Sequence, residues 1–246
     1  MPIASTDLIA FNALNRPEDD TATGGGGRDV DVRPDFTQLA ADDDLECVSS
    51  AAGDTTQTVT IDGRDAAGAF ITITYALNGT TVVTDAQVFE RVLSISMDAD
   101  AVGTVTIRRA PAAGDVYIIP IGERGASALF IKSASESATA TRFDKFFWEN
   151  NHATLTLTAA KVQITADPAA VIRQGVEATK DDTATIANRK TAPGGVTFVA
   201  DSTQQNVPST TLEALTAIGV WIEQALAADN APIRDTFTHE LAGTST

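Results

Sequence analysis

The chain has 246 residues, 43% of them hydrophobic, which suits one or two domains with a real core and excludes wholesale disorder. A net charge of −16 leaves little basic surface, so a phosphate-rich nucleic-acid partner is not expected. The single Cys47 rules out an intrachain disulfide framework and a cysteine zinc cluster; no apolar run is long enough to span a membrane, and residues 1–10 lack the pattern of a signal peptide.

Threonine, valine, isoleucine and alanine dominate between closely spaced turn residues, the rhythm of an all-β sandwich or barrel. A strand is expected at residues 7–11. A polar stretch follows, with Gly24, Gly25, Gly26 and Gly27 and then Asp42, Asp43 and Asp44, too glycine-rich and acidic for core. Residues 57–61 form a strand closed by Asp62-Gly63. Residues 71–77 alternate apolar with polar up to Asn78-Gly79, a pair that tolerates positive φ and predicts a type I′ hairpin returning through Val82 and Val83. Strands at 93–97 and 104–107 follow, with residues 98–103 as their hairpin loop, and another at 116–121.

Beyond residue 123, strands are expected at 128–131, 142–148, 154–157, 161–165, 195–199, 218–222 and 236–241. Residues 166–192 read as loop, with a weak strand at 184–186. Between 212 and 228, Leu212, Leu215, Ile218, Ile222 and Leu226 fall at helical spacing, but Gly219 and the β-rich run 218–222 favour a strand. The stretch FFWENNHATLTL, residues 146–157, divides into a strand end, a turn at 149–153 and a returning strand. Strand neighbours alternate in direction, so Phe146 and Trp148 share a face. Phe147 points the other way, toward a second layer or a partner subunit, and is a candidate interaction residue.

The candidate chemistry is sparse. The glycine run lacks the Lys-Ser/Thr and helix of a phosphate loop, since Arg28-Asp29-Val30-Asp31 follows it. Gly24, Gly25, Gly26 and Gly27 therefore read as a flexible arm or turn, a candidate to lie on a neighbour. The acidic groups Asp42–Asp43–Asp44, Asp98 with Asp100, and Asp181 with Asp182 lack the order of a calcium loop, so no metal or cofactor is expected. His152 and His239 are the only histidines, and no serine sits in a Gly-x-Ser-x-Gly elbow. A pairing of His152 with Glu149 is the one local suggestion of a site. His239, in phase with Phe237 and Leu241, reads as a strand residue, and no enzyme is expected. Cys47 reads as a buried inert thiol. Trp148 and Trp221 read as core, with a sugar-stacking platform as the alternative.

Residues 48–61, Gly63-Arg64-Asp65-Ala66-Ala67-Gly68, Ala76-Leu77-Asn78-Gly79-Thr80 and Phe89-Glu90-Arg91 resemble a module that recurs in tailed-phage virion proteins. A second such module is resembled by the strand at 5–9, the glycine run, Asn151-His152-Ala153-Thr154-Leu155-Thr156-Leu157, residues 192–198 and Ala217-Ile218-Gly219-Val220-Trp221-Ile222. The resemblance implies a virion structural protein with two β-sandwich domains, Ig-like or jelly-roll-like. It implies residues 46–122 as one domain and 123–246 as the other, with 1–45 an N-terminal strand and arm belonging to the later one if the first is inserted, and the two are sequential otherwise. It further implies a capsid decoration or cement role within the virion, assembled in the host cytoplasm. The partners would be copies of itself in a homo-oligomer and other virion proteins, the major capsid protein or neck and tail proteins. A neck, tail or baseplate component and a carbohydrate-binding adhesion module are the alternatives.

Overall fold

Strand pairing organises almost every segment of the chain. The computed structural model describes residues 2–17, 19–131, 138–228 and 236–245; within them the regular elements are strands plus two 3-10 turns, Ser5–Asp7 and Pro208–Thr210. The fold is all-β with several sheets. The chain divides into two compact units: a host unit, Met1–Asp29 with Leu129–Thr246, and an inserted unit, Val30–Ala128. The host begins with β1 (Leu8–Asn15) and β2 (Gly24–Asp29). The inserted unit holds β3 (Val32–Arg33), β4 (Asp43–Ser49), β5 (Thr58–Arg64), β6 (Phe70–Ala76), β7 (Val83–Phe89), β8 (Arg91–Met97), β9 (Val105–Arg109), β10 (Ala113–Ile119) and β11 (Gly125–Ser127). The host resumes with β12 (Ala140–Asn150), β13 (Leu157–Ala166), β14 (Ile172–Lys180), β15 (Thr185–Ile186), β16 (Val199–Ala200), β17 (Gln205–Asn206), β18 (Thr211–Leu212), β19 (Ala217–Leu226) and β20 (Thr238–Ser245).

In the inserted unit, one sheet runs β10-β9-β4-β7 and the other β3-β11-β8-β5-β6. Alternation along β5 buries Val59, Ile61 and Gly63 and leaves Thr58, Thr60 and Asp62 at the outer face. Leu45, Cys47, Val105 and Ile107 of the first sheet share one core with Val59, Ile61, Ile95 and Met97 of the second, a sandwich-like arrangement. Each such side chain contributes about 1.5–3 kcal/mol by leaving water. Both ends of the unit lie side by side. β3 pairs with β11 in parallel, Val32 opposite Gly125, and the Asp31 carbonyl accepts from the Arg124 and Gly125 amides at 2.7 and 3.1 Å. Adjacent ends are what allow one domain to occupy a loop of another.

Two expected hairpins are not strand pairs. β6 pairs with β5, whereas β7 pairs with β4 in the facing sheet, so Asn78-Gly79 is a corner between sheets. Gly79 has φ +56° but Asn78 does not share the positive φ that a type I′ turn needs at both central residues. The loop at residues 98–103 likewise crosses from β8 in one sheet to β9 in the other. The Asp54 carboxylate anchors it, accepting from the Val102 and Gly103 amides at 2.8 and 3.0 Å and from the Ser49 hydroxyl.

The host unit has a seven-stranded sheet, β15-β2-β1-β12-β19-β14-β16, and a smaller one in which β13 pairs with β17, β18 and β20. Phe146, Ile172, Ile218, Val220 and Ile222 of the large sheet meet Leu157, Val162, Ile164, Leu212 and Leu241 of the small one. β19 is buried on both faces, because Ala217, Gly219 and Trp221 pack on the far side. A strand buried on both faces reads as a continuous apolar run, which is why its spacing also fitted a helix. Residues 172–180, expected as loop, form the nine-residue β14 inside this sheet. Its buried Gln174 and Glu177 interrupt the apolar alternation by which a strand is recognised. Residues 128–131, expected as a strand, are a turn region in which Phe130 has φ +56°.

Candidate functional site

The 146–157 stretch is built around β12, which lies between β1 and β19 in the large sheet. Phe146 and Trp148 lie on one face, 6.3 Å apart edge-on, in the core between the sheets. The Trp148 indole Nε1 donates to His239 Nδ1 at 2.8 Å, and the His239 ring also stands edge-on to Phe146. Burial pushes the His239 pKa down to about 3, so the ring is neutral and serves as an acceptor within the core.

Phe147 lies on the opposite face with no exposed surface, packed against Ala13 and Ala217. As an interaction residue it is corrected: the ring is already enclosed within its own unit, between side chains of the flanking strands β1 and β19. Beside it lies a cluster that the sequence did not suggest. Lys145 is fully buried, its Nζ 3.2 Å from Glu177 Oε1, 3.1 Å from Asp182 Oδ1 and 4.9 Å from the Phe147 ring centroid. Trp221, also fully buried, donates its indole Nε1 to Glu177 at 2.5 Å. Burial alone would raise the Asp182 carboxyl, but the Ala184 amide and the Lys145 ammonium outweigh it and hold the group below its usual range. The cluster joins β12, β14, β19 and the segment after β14. The ammonium, with no exposed surface of its own, has its charge met within the fold by these two carboxylates. A buried lysine between two acids carries no sequence signature, because its partners lie 32 and 37 residues away.

The His152–Glu149 pair that the stretch suggests when read alone is not made. Glu149 faces Arg28, 2.7 Å from its Nη1, while His152 Nδ1 accepts from the Thr154 and Leu155 amides at 3.1 and 3.0 Å and closes the turn. Asn150 organises the same turn. Its Nδ2 donates to the Leu155 and Leu212 carbonyls at 2.8 and 2.9 Å, and its Oδ1 accepts from the His152 amide. Trp148 and Trp221 lie on opposite faces of one sheet, since Trp221 is the cross-strand partner of Lys145 and Trp148 that of Ile218. They cannot form one stacking platform.

Gly24, Gly25, Gly26 and Gly27 are not a free arm. They form β2, paired with β1 on one side and β15 on the other, and the first three are buried. Gly25 has φ +82°, and a Cβ there would stand 2.6 Å from the Trp221 ring, so glycine is required by both backbone and packing. Among the described residues no group of three or more His, Cys, Asp or Glu side chains is arranged to hold a metal. Cys47 is buried, and burial pushes its thiol up to about 12, which keeps it protonated and unreactive.

What the polar side chains do not explain is one sheet edge. Most of the edge strands are short, broken or charged. β3, β15, β16, β17 and β18 have two residues each. β10 and β20 have interrupted register, with Asp115 in the first and Glu240 in the second, and β7 carries Asp85 and an irregular register with β4. β6 differs: seven residues, Phe-Ile-Thr-Ile-Thr-Tyr-Ala, in unbroken register with β5, with no charge, glycine or proline. Phe70, Thr72, Thr74 and Ala76 are exposed, and Ile71 and Ile73 are half-buried. Proteins normally blunt such an edge unless something pairs with it. No family model, no curated protein and no solved structure matches this chain.

Proposed function

We propose that the chain is a non-enzymatic structural subunit of a tailed-phage particle, acting by self-association and by docking on other virion proteins. The observation that carries this reading is how the polar groups are used. Lys145, Glu177, Asp182, His152, His239 and Cys47 are committed to internal contacts or shut in the core, while the uncharged strand β6 is paired on its outer edge by no strand of the described residues. Catalysis needs groups that face a reacting molecule; assembly needs a surface that can be completed by another chain. The resemblance of the strand-and-turn strings to phage virion modules supports the same reading.

Within the particle, a decoration or cement role on the head surface is the position we favour, with the virion as the location. The strongly acidic, thiol-poor composition suits a permanently solvated outer layer. A neck, tail or baseplate position is the alternative within the same class. The test is to purify particles from the phage that encodes the chain, identify their proteins by mass spectrometry, and image them with an antibody to this chain. Label distributed over the head is the expected result. Label confined to the neck or tail moves the protein to the alternative, and absence from purified particles overturns the reading.

A further inference from the structure

We infer that β6 is a dimerisation strand that pairs antiparallel with β6 of a second copy of this chain, joining two five-stranded sheets into one. The inference deepens the self-association reading by naming its surface, and it rests on that reading.

The first argument is which backbone groups are open. The Leu77 amide donates to the Gln57 carbonyl at 2.9 Å and the Asp65 amide to the Ala69 carbonyl at 3.0 Å, one at each end of the β5–β6 ladder. In an antiparallel ladder the residues that exchange bonds alternate, so Ile71, Ile73 and Tyr75 turn their N–H and C=O groups toward β5. Those of Thr72 and Thr74 turn toward the open edge, where no strand of the described residues pairs with them.

The second argument selects the occupant. The strand is close to a chemical palindrome about Ile73. With the twofold axis at Ile73, Thr72 lies opposite Thr74 of the second copy, Ile71 opposite Tyr75, and Phe70 opposite Ala76. All seven residues overlap, and Thr72 and Thr74 become the residues that exchange both N–H···O=C bonds across the axis, as their orientation requires. The central pairs keep like with like: threonine meets threonine on the outer face, where the hydroxyls of Thr72 and Thr74 already bond to Asp62 and Thr60 of β5, and Ile71, Ile73 and Tyr75 extend the apolar inner face of the sheet. A chain of net charge −16 repels its copy, and β6 itself carries no charge; the nearest carboxylate on its outer face, Asp62 of β5, is already bonded to the Thr72 and Ser94 hydroxyls. An unrelated partner strand has no reason to demand the palindrome.

The full chain tests this by sedimentation velocity over a concentration series. The wild-type protein is expected to sediment as a dimer. Thr72→Lys/Thr74→Lys places lysines directly opposite lysines across the axis, and Thr72→Glu/Thr74→Glu places glutamates opposite glutamates. Each should raise the dimer dissociation constant about tenfold or more. Both side chains are exposed but bond to Asp62 and Thr60 of β5, so the melting temperature of each variant checks that the fold is kept. Mixing the two variants should restore a dimer, because every opposed pair is then Lys–Glu. A wild-type monomer at all concentrations overturns the pairing and leaves docking on a different particle protein standing. A dimer indifferent to both variants overturns β6 as the surface while self-association survives, and dissociation that mixing fails to rescue overturns the Ile73-centred register.

Discussion

Lys145 shows how a charge is kept inside a sheet. Its ammonium is satisfied by Glu177 and Asp182, and Glu177 is satisfied in turn by the Trp221 indole. Removing the cation alone leaves a buried carboxylate without its counter-charge, so Lys145→Ala should destabilise the protein by about 3–5 kcal/mol in denaturant unfolding. Lys145→Met with Glu177→Gln, which keeps an acceptor for Trp221, should recover much of that loss. Titration gives a second check at this scale. His239 is pushed from 6.5 down to about 3, so the unfolded chain binds a proton near pH 6.5 that the folded protein refuses until about 3. Stability is therefore full above pH 6.5 and falls as the pH drops between those values. Asp144 has the opposite sign: burial raises its carboxyl from 3.8 to about 6, so its contribution is full below 3.8 and lost as the pH rises to about 6. Thermal melts at pH 4 and 7 should show a smaller acid loss in His239→Gln, which retains an acceptor for Trp148, and a larger one in Asp144→Asn.

At the scale of elements, the glycine run is the instructive case. Four consecutive glycines read as a flexible arm because glycine lowers strand propensity and frees the backbone. In the fold they form β2, held by pairing on both sides, and Gly25 leaves room for the Trp221 ring. Gly25→Ala should destabilise the host unit by about 2–4 kcal/mol, combining positive-φ strain with a clash, and circular dichroism melts would measure it. In the 146–157 stretch, the opposed faces of Phe146 and Phe147 were legible from alternation alone. The partners of Phe147 were not, since they come from β1 and from the start of β19, far along the chain. β14 was missed for a related reason: Gln174 is buried because its amide reaches the Val162 and Thr203 carbonyls, contacts that no local pattern announces.

For the whole molecule, the division into host and inserted units predicts unequal tolerance to truncation. Residues 30–128 enclose their own core and bring their ends together, so this segment expressed alone should unfold in one cooperative transition. Deleting residues 2–29 should instead unfold the host unit, because β1 sits between β2 and β12 within the large sheet, while the inserted unit keeps its fold. Limited proteolysis followed by mass spectrometry would show residues 30–128 as the surviving fragment. A host unit that remained folded after the deletion would contradict the central place of β1.

The strand content and the alternation within single strands were decided by the sequence itself, because they depend on neighbours two to four residues apart. Only the tertiary structure decided that Asn78-Gly79 turns between sheets, that the glycine run is a paired strand, that Lys145 has two acids for company and that β6 is left at an edge. Each of these depends on which distant strand arrives alongside. Backbone hydrogen bonds between strands look alike whatever the residues, so pairing is set by how the whole set of apolar faces can be buried at once.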